Sequence, residues 1–236
     1  MKTGAERFFR TSDYWQAWSA VPDLTADIHY ALRSIRASDR RVLDVPCGRG
    51  RLLKAARTRA SGAELFGLDV NGEMVARVRR DLPGVHAQVA SVYAIPFRDR
   101  SFDAVLCHES FMHFDDPRAA LGELCRVSSD RVYFSVTTRR QLNTLLRRIG
   151  LLGSADVPHW TYNAEDLAPL LSNAFRWEVR GAFLVGGKAL RLSHATHRRW
   201  HQRVGRFVPA LLLKKFGQTL FVYGSRLGEP MVGHAR

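Results

Sequence analysis

Short apolar runs alternate along this chain with stretches whose apolar positions recur every three or four residues, as when strands are interleaved with helices. Residues 40–45 (RRVLDV) read as a buried strand, followed by a glycine turn and a helix through about residue 59. Residues 63–70 (AELFGLDV) are the next predicted strand, and NGEMVARVRRDL a helix that Asn71 can cap. Further strands are predicted at 84–91 (GVHAQVAS), 101–108 (SFDAVLCH) and 130–138 (DRVYFSVTT). Between the last two, residues 115–129 read as a helix with Pro117 in its first turn, where a missing N–H costs little. Strands alternating with helices build a parallel, doubly wound sheet, an α/β fold.

Beyond residue 138 the pattern predicts helices around 139–149 and 163–173 and a strand at 175–185. A basic, helix-prone stretch follows over about 190–215, then a closing strand at 217–226. Residues 13–24 (DYWQAWSAVPDL) are amphipathic and aromatic, a predicted helical cover. At 236 residues the chain is expected to be one domain. Its divisions are an N-terminal cover (1–38), a core (39–137), a substrate cover with late sheet elements (138–216), and a last strand and tail (217–236).

The turn "DVPCGRG" (44–50) follows the first strand at the sheet's carboxyl edge, where such folds bind ligands. Gly48 and Gly50 let backbone approach a ligand, and the next helix offers free N–H groups. The alternative is that both glycines only pack strand against helix. Asp69 ends the second strand, 25 residues after Asp44, and an acidic side chain there can bind both hydroxyls of a ribose. The pair points to an adenosine cofactor. The last glycine of a dinucleotide fingerprint is absent, and a carboxylate before the turn suits a cationic amino or sulfonium group better than a pyrophosphate.

These residues resemble the class I S-adenosylmethionine-dependent methyltransferases, of the type-11 or ubiquinone/menaquinone-methyltransferase-like kind. "VLDVPCGRG" is similar to the family's first motif and "GLDVN" to its ribose-binding motif. "AIPFRDRSFDAVLCHESFMHF", "AALGELCRV" and "YNAEDLAPLLSNAF" resemble later segments. The resemblance covers about residues 40–137 well and the remainder loosely. It implies a Rossmann-like, doubly wound seven-stranded sheet, mostly parallel with an antiparallel last strand. The implied cofactor is S-adenosyl-L-methionine. Asp44, Pro46, Gly48 and Gly50 fall in the loop that would hold its methionine end, Asp69 at the ribose, and Val70 along the adenine. Ser91 and Val92 fall where the family contacts the adenine amino group; serine replaces the usual acidic residue. Cys107 would flank the transferred methyl. Pro46 stands in place of a glycine, and the loop is expected to accommodate it with φ near −65°. "SSDR" (128–131) replaces the family's usual turn before the fifth strand and is expected to form a different turn, far from the cofactor.

Methyl transfer from a sulfonium is a displacement, in which positioning contributes on the order of 7–11 kcal/mol. A hydroxyl or protonated nitrogen also needs a base, and "CHESFMHF" supplies His108, Glu109 and His113 as catalytic candidates. His159 is a further candidate from the cover. His194, His197 and His201 share a helical face, but Arg198, Arg199 and Arg203 oppose a cation there, so no metal is expected. The [D/N]-P-P-[Y/F] motif of adenine-amine methyltransferases is absent.

Charge alters the expected partners. The formal net charge is +14, and no acidic residue occurs between Glu178 and Glu229, where ten Lys and Arg lie. Such a block favours an anionic partner, or is simply a solvated face. The expected substrate is a small acceptor, anionic if the basic 188–215 segment holds it, methylated on oxygen or nitrogen. Alternatives are a lipid or lipid-linked acceptor met at a membrane surface through 188–216, where "RFVPALLLKKF" (206–216) pairs an apolar run with charges, and an RNA partner, which rests on charge alone. Three unpaired cysteines and no apolar run near the ~20 residues of a membrane span predict a cytoplasmic protein, peripheral to the membrane in the lipid reading.

Overall fold

The computed structural model describes residues 4–11, 27–139, 159–182, 212, 214, 215, 217 and 219–228. Its chain order is α1 (Gly4–Thr11), α2 (Ile28–Leu32), β1 (Arg41–Asp44), α3 (Arg51–Arg59), β2 (Glu64–Asp69), α4 (Gly72–Asp81), β3 (Val85–Val89) and β4 (Phe102–Cys107). It continues with a 3-10 turn (Phe111–His113), α5 (Pro117–Val127), β5 (Ser128–Thr137), α6 (Ala164–Leu167), a second 3-10 turn (Ala168–Leu170), β6 (Phe175–Ala182) and β7 (Thr219–Arg226). The seven strands form one sheet in the order β3-β2-β1-β4-β5-β7-β6. β1 to β5 are parallel, and β7 slots between β5 and β6, antiparallel to both. The expected Rossmann-like doubly wound sheet with an antiparallel last strand is what the chain forms.

Side chains alternate across each strand, so each buried strand feeds two cores. In β4, Ala104 and Leu106 join α2, α3 and α4 through Ile28, Leu53 and Val78 on one face. Val105 and Cys107 join α5 and α6 through Leu121, Leu124 and Leu167 on the other. Strand order reverses between β1 and β4, and this switch point opens a crevice at the carboxyl edge.

Local chemistry sets the helix ends. Asn71 accepts from the backbone of Glu73 (2.9 Å) and Met74 (3.3 Å), capping α4 as expected. Asp116 caps α5 from Ala119 N (2.9 Å), with Pro117 in the first turn. Two expectations are corrected. The helix expected over 163–173 stops at Leu167 and tightens into a 3-10 turn, because Pro169 has no N–H to continue the ladder. Residues 128–131 are not a turn but the start of β5, where pairing with β4 shifts between Phe102 and Ala104. Serine hydroxyls satisfy this irregularity: Ser128 Oγ donates to Arg131 O and Ser129 Oγ to Phe102 O, each at 2.9 Å. Arg131 is buried there against Asp39 and Asp130 and donates to Ser34 O, locking the segment before β1 onto β5.

The expected cover helix at 13–24, the helix at 139–149 (apart from Arg139) and the basic 190–215 stretch (apart from Leu212, Lys214 and Lys215) lie outside the described residues. No described helix is long and apolar enough to cross a membrane.

Candidate functional site

β1 ends at Asp44, whose side chain is buried with Oδ1 unpartnered. Burial pushes its pKa up to about 8, with the nearby His108 pulling down and Asp69 pushing up. Removing a carboxylate from water without a partner is costly, so this oxygen invites a hydrogen-bonding cation. The loop beyond it contains a cis Val45–Pro46 peptide. Cys47 N then donates to Leu68 O (2.7 Å), and Gly48 N to Asp69 Oδ2 (2.8 Å), tying the loop to the end of β2.

The two glycines play different parts. Gly48 sits at φ 51°, and a Cβ added there would meet open space. Gly50, at φ 79°, turns the other way: an added Cβ would lie 2.7 Å from Leu82 Cδ1 and 3.1 Å from Val78 Cγ2. Its missing side chain lets α3 pack on the end of α4, so the packing alternative holds for Gly50, while Gly48 borders the crevice.

Asp69 is also buried, which raises its pKa against the backbone hydrogen bonds it receives. Its oxygens accept from Gly48 N and Asn71 N (2.9 Å), leaving lone pairs for further donors. Ala90 N donates to Asp69 O (3.0 Å), which places Ser91 and Val92 beside it. Val70 is half-buried, whereas Val92 lies in the core. The thiol of Cys107 is fully buried in that core as well, so its side chain is not a crevice group.

Beside Asp44 stands a cluster that sequence reasoning found only in part. His108 Nε2 lies 2.9 Å from Asp27 Oδ2, and its Nδ1 lies 3.0 Å from Tyr133 Oη. In a neutral ring, Nε2–H donates to Asp27 and Nδ1 accepts from the tyrosine. Burial lowers the pKa of His108, but the bond to Asp27 and the charges of Glu109, Asp27 and Asp44 outweigh it, for a net rise. Both ring nitrogens are engaged, so His108 is a linking residue rather than a free base. Glu109 adopts φ 51°, a sparsely populated backbone for a non-glycine residue. Its N–H donates to Ser135 Oγ (2.8 Å), and its carboxylate lies 3.9 Å from Arg51. Partial desolvation at the crevice wall and the Asp27 charge raise the Glu109 pKa, with His108 and Arg51 pulling the other way.

One ligand atom each of Asp27, His108 and Glu109 lies within 4.8 Å of the others, a donor set with metal-binding chemistry. The commitment of Nε2 to Asp27 and the nearby Arg51 guanidinium favour a proton-handling group. His113 is not part of it. That ring packs on Phe9 (4.9 Å between centroids) and on His159 (5.4 Å), bringing two sequence candidates together on the aromatic side. His194, His197 and His201 lie outside the described residues. A hollow lined by Arg100, Arg126 and Arg226 lies at the opposite, amino edge of the parallel strands and shares none of these groups.

Sequence reading missed Asp27, and also Glu6 on α1, whose Oε2 accepts from Ser91 Oγ at 3.0 Å. Asp27 directly precedes α2, which is docked by Tyr30 stacking on Phe221 at 4.2 Å. A buried strand-end histidine needs a partner, but nothing local in the sequence says which residue supplies it.

Residues 43–136 match the family described as a methyltransferase domain. A demethylmenaquinone methyltransferase of Thermus thermophilus is 36% identical over 110 residues, 43% of this chain and 50% of that protein. The chain spans about half the length of the curated relatives it matches. Among solved structures, a Thermotoga maritima S-adenosylmethionine-dependent methyltransferase, described as a possible histamine N-methyltransferase, superposes with TM-score 0.64 at 18% identity, covering 94% of this chain and 97% of that one. The magnesium protoporphyrin IX methyltransferase of Synechocystis, solved with S-adenosylhomocysteine, gives TM-score 0.64 at 15% identity with the same coverages.

Proposed function

We propose that this chain, whose residues 43–136 match a methyltransferase domain, is a class I enzyme that transfers a methyl group from S-adenosylmethionine to an oxygen or nitrogen of a small acceptor. The observation that carries the reading is the buried, unpartnered Asp44 Oδ1 beside the open face of Gly48. That carboxylate suits the amino group of the methionine end, and the open Gly48 leaves room for its chain. Asp69 has lone pairs left for the ribose hydroxyls. Bound there, the cofactor supplies an activated methyl group and needs no covalent help from the protein.

The chain's own work is then to position the acceptor and handle a proton. Glu109, whose side chain is 42% exposed, is the outward group of the cluster. Its Oε atoms can take the proton from an acceptor O–H or N–H. His108 holds Asp27 in place, and Arg51 steadies Glu109 in its ionised form. An anionic acceptor is favoured by the ten basic residues between Glu178 and Glu229. A lipid acceptor is favoured by the quinone-directed relative.

Incubation with methyl-labelled S-adenosylmethionine and a panel of phenols, carboxylates, amines and short-chain quinols tests this. Label should pass to a small acceptor, and Glu109→Gln should lower kcat at least about tenfold. Transfer that is unaffected by Glu109→Gln would remove its role as base. Label passing only to acceptors embedded in vesicles would replace the small acceptor by a lipid.

A further inference from the structure

Helix α1 lies across the carboxyl edge of the sheet and is tied there by hydrogen bonds from three separate elements. Ala5 N donates to Asp115 Oδ2 (2.8 Å), Asn71 Nδ2 donates to Phe9 O (3.0 Å), and Ser91 Oγ donates to Glu6 Oε2 (3.0 Å). The Glu6 side chain is thereby fixed in place and only 8% exposed, its other oxygen accepting from Arg10 at 2.9 Å.

We propose that Glu6 selects the base of the bound cofactor, accepting a hydrogen bond from the exocyclic amine of adenine. This rests on the S-adenosyl reading of the crevice. With the methionine end at Asp44 on β1 and the ribose at Asp69 on β2, the molecule runs across neighbouring strand ends. Strands lie about 4.8 Å apart, so the base falls over the next strand end, that of β3. Ala90 N bonds to Asp69 O, so the residues at that place are Ser91 and Val92. Val92 presents an apolar side chain to the core, and the Ser91 hydroxyl points to Glu6. The acidic group at the base position therefore comes from α1, some 85 residues away in sequence. An ionised carboxylate only accepts hydrogen bonds. It pairs with the amino group of adenine and repels the carbonyl that replaces this amine in hypoxanthine. Asn71 caps α4 and also holds α1, so the loop after the ribose carboxylate and the helix carrying Glu6 are one connected unit.

Calorimetric titration of the full chain with S-adenosylhomocysteine and its deaminated analogue, S-inosylhomocysteine, tests the assignment. The unmodified protein should favour the adenine form at least tenfold. Glu6→Ala should weaken S-adenosylhomocysteine binding ten- to a hundredfold and erase most of that preference. Glu6→Gln keeps the shape and the Ser91 contact while adding an N–H donor, and should shift the preference toward the inosyl analogue. Wild-type affinity and preference in both variants would overturn the Glu6 assignment alone. If the unmodified protein binds neither ligand, the cofactor reading falls and this assignment with it.

Discussion

Replacing Asp44 by asparagine separates the stability of the crevice from its chemistry. Asp44 is 2% exposed, and burial pushes its pKa up to about 8. In an unfolded chain the same carboxyl ionises near about 3.9. Between about pH 4 and pH 8 the ligand-free folded protein therefore holds a proton that the unfolded chain has lost. Stability contributed by this group is complete below about pH 4 and is lost as pH rises toward 8. Roughly four pH units at about 1.4 kcal/mol each set an upper bound on the order of 5 kcal/mol. Asparagine keeps the shape and removes the titration, though its unbonded buried amide costs about 1–3 kcal/mol. Asp44→Asn should thus match or fall below the native protein at pH 5 and exceed it at pH 8.5. At roughly 2–4 °C per kcal/mol for a domain of this size, the gap in Tm should widen by about 10 °C across that range. Calorimetric melts of both ligand-free proteins from pH 5 to pH 9 measure it. Binding of S-adenosylhomocysteine should weaken by about tenfold or more in the same variant, because a charge-assisted bond worth roughly 1.5–3 kcal/mol is lost. Parallel Tm profiles for the two proteins would refute the view that a desolvated carboxyl group waits in the crevice for a cation.

Other outcomes follow from the same geometry. Asp69→Ala removes the acceptor of Gly48 N and Asn71 N and should lower nucleoside affinity more than about a hundredfold with circular dichroism unchanged; native affinity would remove the ribose assignment. Gly50→Ala places a Cβ 2.7 Å from Leu82 Cδ1 at φ 79°, and left-handed strain plus overpacking should cost about 2–4 kcal/mol in urea unfolding. Arg131→Met leaves Asp39 buried without its charge partner, while Asp130 keeps Arg36, and should cost about 3–5 kcal/mol, read by the same titration at pH 7.

The parts legible in the sequence are those governed by neighbouring residues. Strand alternation located β1 to β5, and Asn71 and Pro117 marked helix starts because caps act within one turn. Asp44, Gly48 and Asp69 were visible because the crevice of a doubly wound sheet is built from the residues that end its strands. Ser128–Arg131 was misread as a turn because its bulge depends on partners distant in sequence, among them Phe102 O and the buried Asp39. Asp27 and Glu6 were invisible for the same reason: each belongs to an N-terminal element with no motif and meets its partner, His108 or Ser91, more than eighty residues on. Cys107 shows the converse limit. Its place at a strand end was right, but strand alternation turns its side chain into the core.

Calorimetric titration of the ligand-free chain with S-adenosylhomocysteine and, separately, NAD tests the central claim most directly. The account predicts one-to-one binding of S-adenosylhomocysteine, lost in Asp69→Ala, and no measurable heat with NAD. Binding of NAD without binding of S-adenosylhomocysteine would contradict it.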